Sequence, residues 1–189
     1  MPQPPVLPTI DWQNVFASGR SYEDWIDGGE PRDNVETIAR LLDEQRLEPQ
    51  HAALLTALPR KVHVVAIAEP WCGDVVRHVP VLVRLAEGAP KLDVRFVTRD
   101  QYHDVFARFL TNGGEAIPKF VFLSEQFVEC GNWGPMPEAC RELIARGKAC
   151  DDVSLARDRV STLYAADPDR SEVVRELLAL IDIAACTAP

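Results

Sequence analysis

The stretch "AEPWCGDVVRHVP", residues 68–80, decides how this chain is read. It overlaps the end of "KVHVVAIA" (61–68), a short β-branched run with the composition of a buried strand. It leads into "CGDVVRHVPVLVRLAEG" (72–88), helical in pattern with Pro80 inside it. Cys72 therefore stands where a strand hands over to a helix. A sulfur at that point faces unpaired backbone N–H groups and the positive end of the helix dipole. The interaction is worth about 0.3–1 kcal/mol when exposed and up to about 2 kcal/mol when partly buried. At about 1.36 kcal/mol per unit, it can lower a thiol pKa by roughly one unit. Burial under Trp71 would push the other way. The sequence leads one to expect a Cys72 that is substantially thiolate near neutral pH. Three residues on, where a second sulfur would close a Cys-x-x-Cys pair, stands Val75.

Outward from this turn, the pattern is regular. Residues 11–58 read as helical: "DWQNVFASG" and "SYEDWIDGG" each end in glycine, "PRDNVETIARLLDEQRL" follows, then "EPQHAALLTALP". After the first helix past Cys72, "KLDVRFVTR" (91–99) alternates Leu92, Val94 and Phe96 as a second strand. "DQYHDVFARFLTNGG" (100–114) reads as one helix with Asp100 as a candidate cap. "KFVFLSEQFVECG" (119–131) reads as two strands around a turn at Ser124–Gln126, and "PEACRELIARG" (137–147) as a helix. From residue 61 the order is β-α-β-α-β-β-α, which predicts an α/β fold: a mixed sheet with helices on both sides. Two further helices follow, "DDVSLARDRVSTLYAA" and "SEVVRELLALIDIAA". The expected organisation is an N-terminal tail and helical extension (1–60), a core (61–147) and a C-terminal helical extension (148–189). All three form one compact unit.

Composition narrows the functions. The 189 residues are 47% hydrophobic and 26% charged, as in a soluble globular chain. The formal net charge of −9 argues against nucleic acid or an anionic membrane as partner, since both require clustered Lys and Arg. No apolar run is long enough to span a bilayer. "MPQPPVLPTI" reads as an extended tail rather than a signal peptide, so a cytoplasmic location is expected. Cys72, Cys130, Cys140, Cys150 and Cys186 are odd in number and none are spaced as Cys-x-x-Cys. The four histidines form no i, i+4 pair. Neither a disulfide framework nor a metal site is expected, and no cofactor is called for.

Besides Cys72, the residues that stand out are Ile117-Pro118, just before a strand, and Cys130 at a strand end next to Gly131. By residue statistics alone the Ile117–Pro118 bond is expected to be trans. Taken together, "EPWCGD", "VPVL" (79–82), "RDQ" (99–101), "FLTNGGEAIPKFVFL" (109–123) and "GNWGPMP" (131–137) resemble the thioredoxin superfamily. The finer pattern is similar to a bacterial thioredoxin-like branch with a single-cysteine Trp-Cys-Gly-Asp motif. The resemblance covers about 61–147. It implies a thioredoxin-like three-layer core with the terminal helices added outside it. It also implies a cis Ile117–Pro118 bond lying against Cys72. By the same mapping Trp71, Gly73, Asp74, Ile117, Pro118 and Gly131 line a surface that pairs with an extended peptide or a thiol ligand. Pro80 kinks the helix without chemical role.

Departures from that pattern shape the functional expectation. Thioredoxins resolve a mixed disulfide with a second cysteine, and Val75 cannot attack. Their buried acid, six residues before the nucleophile, is here Ala66. Asp74 places a carboxylate beside the thiol, which either raises its pKa or serves only as a helix N-terminal anion. Two functions stay open. The first is a monothiol disulfide oxidoreductase, in which Cys72 forms a mixed disulfide with a protein or low-molecular-weight thiol. Cys130 would be a possible remote resolving thiol. The second is a non-catalytic binding or scaffold protein that keeps the peptide groove, with a homodimer through the added helices as one use of them. A monothiol glutaredoxin with an iron–sulfur cluster fits poorly, because its Cys-Gly-Phe-Ser motif is not recognisable.

Overall fold

The computed structural model describes residues 7–188. The expected N-terminal tail falls largely outside them, and residues 8–10 are neither helix nor strand. Four strands form one mixed sheet in the order β2-β1-β3-β4. They are β1 (Val62–Ile67), β2 (Leu92–Val97), β3 (Lys119–Leu123) and β4 (Glu129–Trp133). β1 runs parallel to β2 and antiparallel to β3, and β3 is antiparallel to β4. Every residue of β1 is buried, as its unbroken apolar run requires of a central strand.

Helices α1 (Trp12–Ser18), α2 (Tyr22–Asp27), α3 (Arg32–Glu44) and α4 (Pro49–Thr56) precede the sheet. α5 (Gly73–Glu87) joins β1 to β2, and α6 (His103–Phe106) lies between β2 and β3. After β4 come α7 (Glu138–Ala149), α8 (Val153–Ala166) and α9 (Ser171–Ala185). The β-α-β-α-β-β-α series predicted from residue 61 is present with these extra helices at both ends. No helix among the described residues is long and apolar enough to cross a membrane.

Register sorts the sheet into two faces. Ala66, Phe96, Phe120 and Trp133 share one rung, with Phe120 and Trp133 stacked at 5.3 Å. α5 covers that face, and His78 meets Trp133 edge-on. The second helix on this face is α9, not α7. Val173, Val174, Leu177, Leu178, Ile181, Ala184 and Ala185 recur at helical spacing and are all buried in the core. Leu180 lies over Gly131, where an added Cβ would come within 2.8 Å of it, and Trp133 Nε1 donates to Glu176. α7 buries only Cys140 and Gly147 and pairs with α8. Their close approach depends on Gly147, since a Cβ there would sit 2.5 Å from that of Ala156. The C-terminal segment is thus divided: α9 belongs to the core layer, while α7 and α8 form an outer hairpin.

The opposite face carries α1, whose Phe16 packs edge-on against His63 of β1. The N-terminal helices also brace the turn before Cys72. Trp25 Nε1 donates to Ala68 O at 3.0 Å, and Asn34 Nδ2 donates to Pro70 O at 2.8 Å. Residues 100–114 differ from the single helix predicted. α6 is one turn flanked by 3-10 turns at Asp100–Tyr102 and Ala107–Phe109. Thr98, not Asp100, supplies the side-chain acceptor, for Gln101 N. Val105, Phe106 and Phe109 must all reach the core, and Tyr102 leaves helical geometry (φ −139°, ψ 57°) where its hydroxyl meets Ser18 Oγ.

Candidate functional site

The C-terminal end of β1 and the start of β3 lie side by side, Ile67 opposite Lys119. This register brings the turn after β1 against the loop before β3. Cys72 is the N-cap of α5, and its thiol donates to Ile117 O at 3.3 Å. The Ile117–Pro118 peptide is cis. Val75, where a second sulfur would stand, is fully buried in the core, as is Ala66. Burial pushes the half-buried Cys72 thiol up from its ordinary pKa. The backbone N–H groups of Val75 and Asp74 pull it down, the Asp74 charge adds to the rise and Arg99 opposes it. The expectation of a depressed pKa is corrected here: desolvation outweighs the helix terminus. The contact with Ile117 O acts in the same sense, because a carbonyl accepts from a thiol and not from a thiolate.

Around the thiol stands a charged frame that includes Arg99. Trp71 is half-exposed, and the Arg99 guanidinium lies 5.0 Å from its ring centroid. Arg99 is held by Glu69 at 3.0 Å and by Glu115 at 3.7 Å, and His103 meets the other oxygen of Glu115 at 3.1 Å. Gly73 borders open space.

Asp74 points towards α8. Tyr164 donates its hydroxyl to Asp74 Oδ1 at 3.1 Å, and that hydroxyl oxygen lies 3.1 Å from His78 Nε2. The tyrosine proton is given to Asp74, so His78 must donate from Nε2. His78 is wholly buried and its pKa is pushed down to about 3 by desolvation, then by Arg77 and Arg170, so it stays neutral. Arg77 lies over the Tyr164 ring at 4.2 Å and donates to Tyr164 O and Asp167 O at 3.0 Å each. Burial raises the Asp74 pKa, with Tyr164 and Arg77 opposing. Asp74 therefore acts both as a like charge near the thiol and as the anchor of α8.

Beyond Pro118, Lys119 is almost entirely buried with no carboxylate partner. Its Nζ donates to Gly134 O at 2.7 Å and to Thr111 Oγ1 at 3.0 Å, tying two loops together behind the site. Desolvation, then Arg141, brings its pKa down to about 8. Gly134 has φ +117°, and any Cβ there would collide with the Pro118 carbonyl.

The structure gathers Trp71, Cys72, Gly73, Asp74, Ile117 and Pro118 at one end of the sheet. It does not bring Gly131 or Cys130 there. Gly131 pairs with Phe122 and lies under Leu180; Gly134 is the glycine that approaches Pro118. Cys130 sits in the bulge opposite Phe122 and Leu123, its thiol donating to Val128 O at 3.3 Å. That is roughly 10 Å or more along β3 from Lys119, outside the ~7 Å Cα separation a disulfide allows. Sequence reading missed Arg99, Gly134 and Tyr164. "RDQ" and "GNWGPMP" held signals for the first two, while nothing local marks Tyr164. Among the described residues no group of three or more His, Cys, Asp or Glu side chains could hold a metal ion.

A thioredoxin family model matches residues 20–152. Among curated proteins none matches the chain. One similar solved structure is a protein of unknown function from Pseudomonas aeruginosa. It is 17% identical, with a TM-score of 0.71, covering 92% of this chain and 98% of that one. Another is an HIV epitope-scaffold, 18% identical with a TM-score of 0.70 and the same coverage. At these identities the likeness speaks for the fold alone. The family match, spanning well over half the sequence, shows that this chain belongs to the thioredoxin family.

Proposed function

We propose that the protein is a monothiol disulfide oxidoreductase of the single-cysteine Trp-Cys-Gly-Asp type, with Cys72 as its nucleophile. The observation that carries this reading is the Cys72 sulfur at the N-cap of α5, half-buried and 3.3 Å from Ile117 O. In the reaction Cys72 loses its proton and the thiolate attacks one sulfur of a disulfide. The old S–S bond breaks, a mixed disulfide to Cys72 forms, and the departing sulfur leaves as a thiolate that takes up a proton. A second thiol from solution then displaces Cys72, since Val75 offers no sulfur and Cys130 stands at the far end of β4. Trp71, Gly73 and Asp74 on one side and Ile117 and Pro118 on the other form the substrate surface. An incoming disulfide has to take the place of the contact between the thiol and Ile117 O. The test is mass spectrometry after incubation with oxidised glutathione at neutral and alkaline pH. An adduct mapped to the Cys72 peptide, apart from any on the exposed Cys150 and Cys186, absent in Cys72→Ser and removed by reduced glutathione, is expected. No adduct under conditions that modify a control thiol would overturn the proposal.

The raised thiol pKa favours a second reading, a binding protein whose groove pairs with an extended peptide without chemistry. Partner binding unchanged in Cys72→Ser, with no exchange activity in the parent, would select it.

A further inference from the structure

We infer that the groove between residues 111–116 and α7 is a carboxylate-binding subsite, which holds the acid group of a low-molecular-weight disulfide while Cys72 attacks it. This rests on the oxidoreductase reading and specifies its substrate class. The groove has a volume of about 200 Å³ and is lined among others by Asp74, Glu115, Ala116, Met136, Arg141 and Lys148. It opens beside the nucleophile: Asp74 lies in the first turn of α5, and Ala116 precedes Ile117, whose carbonyl meets the thiol. Its volume falls below the ~300–1,000 Å³ of pockets for drug-sized ligands, which suits one small acidic group and not a folded partner.

Counted by formal charge the groove is neutral, with two acids against two bases, but their partners differ. Glu115 is already engaged by His103 at 3.1 Å and Arg99 at 3.7 Å. Asp74 accepts the Tyr164 hydroxyl at 3.1 Å. The bases meet only carbonyls: Arg141 Nη1 donates to Gly134 O at 3.3 Å and Lys148 Nζ to Asn112 O at 3.4 Å. Among the described residues neither takes part in an ion pair. Behind the wall the buried Lys119 likewise has only Thr111 Oγ1 and Gly134 O as partners. Two cations without a carboxylate, Arg141 and Lys148, thus line a groove whose acids are already hydrogen-bonded or paired, with the buried Lys119 behind it, on a protein of net charge −9. An anion entering there supplies the missing counter-charge, and the overall charge cannot account for such a preference.

The experiment compares three disulfides at one pH: oxidised glutathione (anionic), bis(2-hydroxyethyl) disulfide (neutral) and cystamine (cationic). The rate of Cys72 adduct formation is divided by that of the same disulfide with 2-mercaptoethanol. Oxidised glutathione is expected to exceed the neutral disulfide by roughly three- to tenfold at low ionic strength, and salt should reduce the gap. Lys148→Gln, an exposed change, should cut that ratio about threefold, and Arg141→Gln/Lys148→Gln should bring it close to one. A ratio of one in the parent protein, a preference for cystamine, or a ratio unmoved by both variants would overturn the subsite and leave the oxidoreductase reading standing. No adduct from any of the three would overturn both.

Discussion

At the scale of single residues, opposing forces set the protonation state of Cys72. Burial raises its pKa more than the N–H groups of Asp74 and Val75 lower it, so the resting form at neutral pH is the thiol. Iodoacetamide alkylation of Cys72 should therefore rise with pH through a midpoint above that of an ordinary cysteine. Asp74→Asn removes the nearby negative charge while keeping an oxygen for the Tyr164 hydroxyl. Its alkylation midpoint should move to lower pH, and a midpoint unchanged or higher would show that Asp74 does not act on the thiol. Sequence alone placed the sulfur correctly at a helix terminus. It could not weigh the terminus against desolvation, because the burial comes from residues distant in the chain.

At the scale of elements, the notable feature is the exchange between α7 and α9. α9 puts Leu177, fully buried, against the sheet, whereas α7 meets mostly α8 and solvent. Leu177→Ala should cost about 2–5 kcal/mol in urea denaturation. Arg146→Ala, on the exposed side of α7, should stay within about 0.5 kcal/mol. Similar losses at both positions would contradict this layering. Gly134→Ala should weaken the site loop as well as stability, since it drives a methyl into Pro118 O at a positive φ.

At the scale of the molecule, one cluster of buried residues draws on all three segments: Trp12 and Ile38, then Val64 and Phe120, then Leu177 and Ile181. We predict a single cooperative unfolding transition, with far-UV circular dichroism and tryptophan fluorescence superimposing. A fragment of residues 61–147 alone should not fold, because it lacks α9 as well as the Trp25 and Asn34 contacts that brace the turn before Cys72. Two separated transitions, or a folded fragment, would refute the prediction.

What the sequence determined by itself is local in character. A β-branched run, a Trp-Cys-Gly turn, an apolar helix and Ile-Pro before a strand pair are each written in consecutive residues, and they sufficed for the fold class and for the place of Cys72 at the strand–helix junction. Which glycine approaches Pro118, where Cys130 lies, which helix covers the sheet and how Tyr164 reaches Asp74 were decided only by tertiary structure. Gly131 and Gly134 look alike in "GNWGP", yet strand register puts one under Leu180 and the other against Pro118. α7 and α9 are both amphipathic helices, and their order in the chain says nothing of which finds the larger apolar face. Register and layer packing depend on contacts between residues far apart in sequence, and a pattern read along one chain does not contain them.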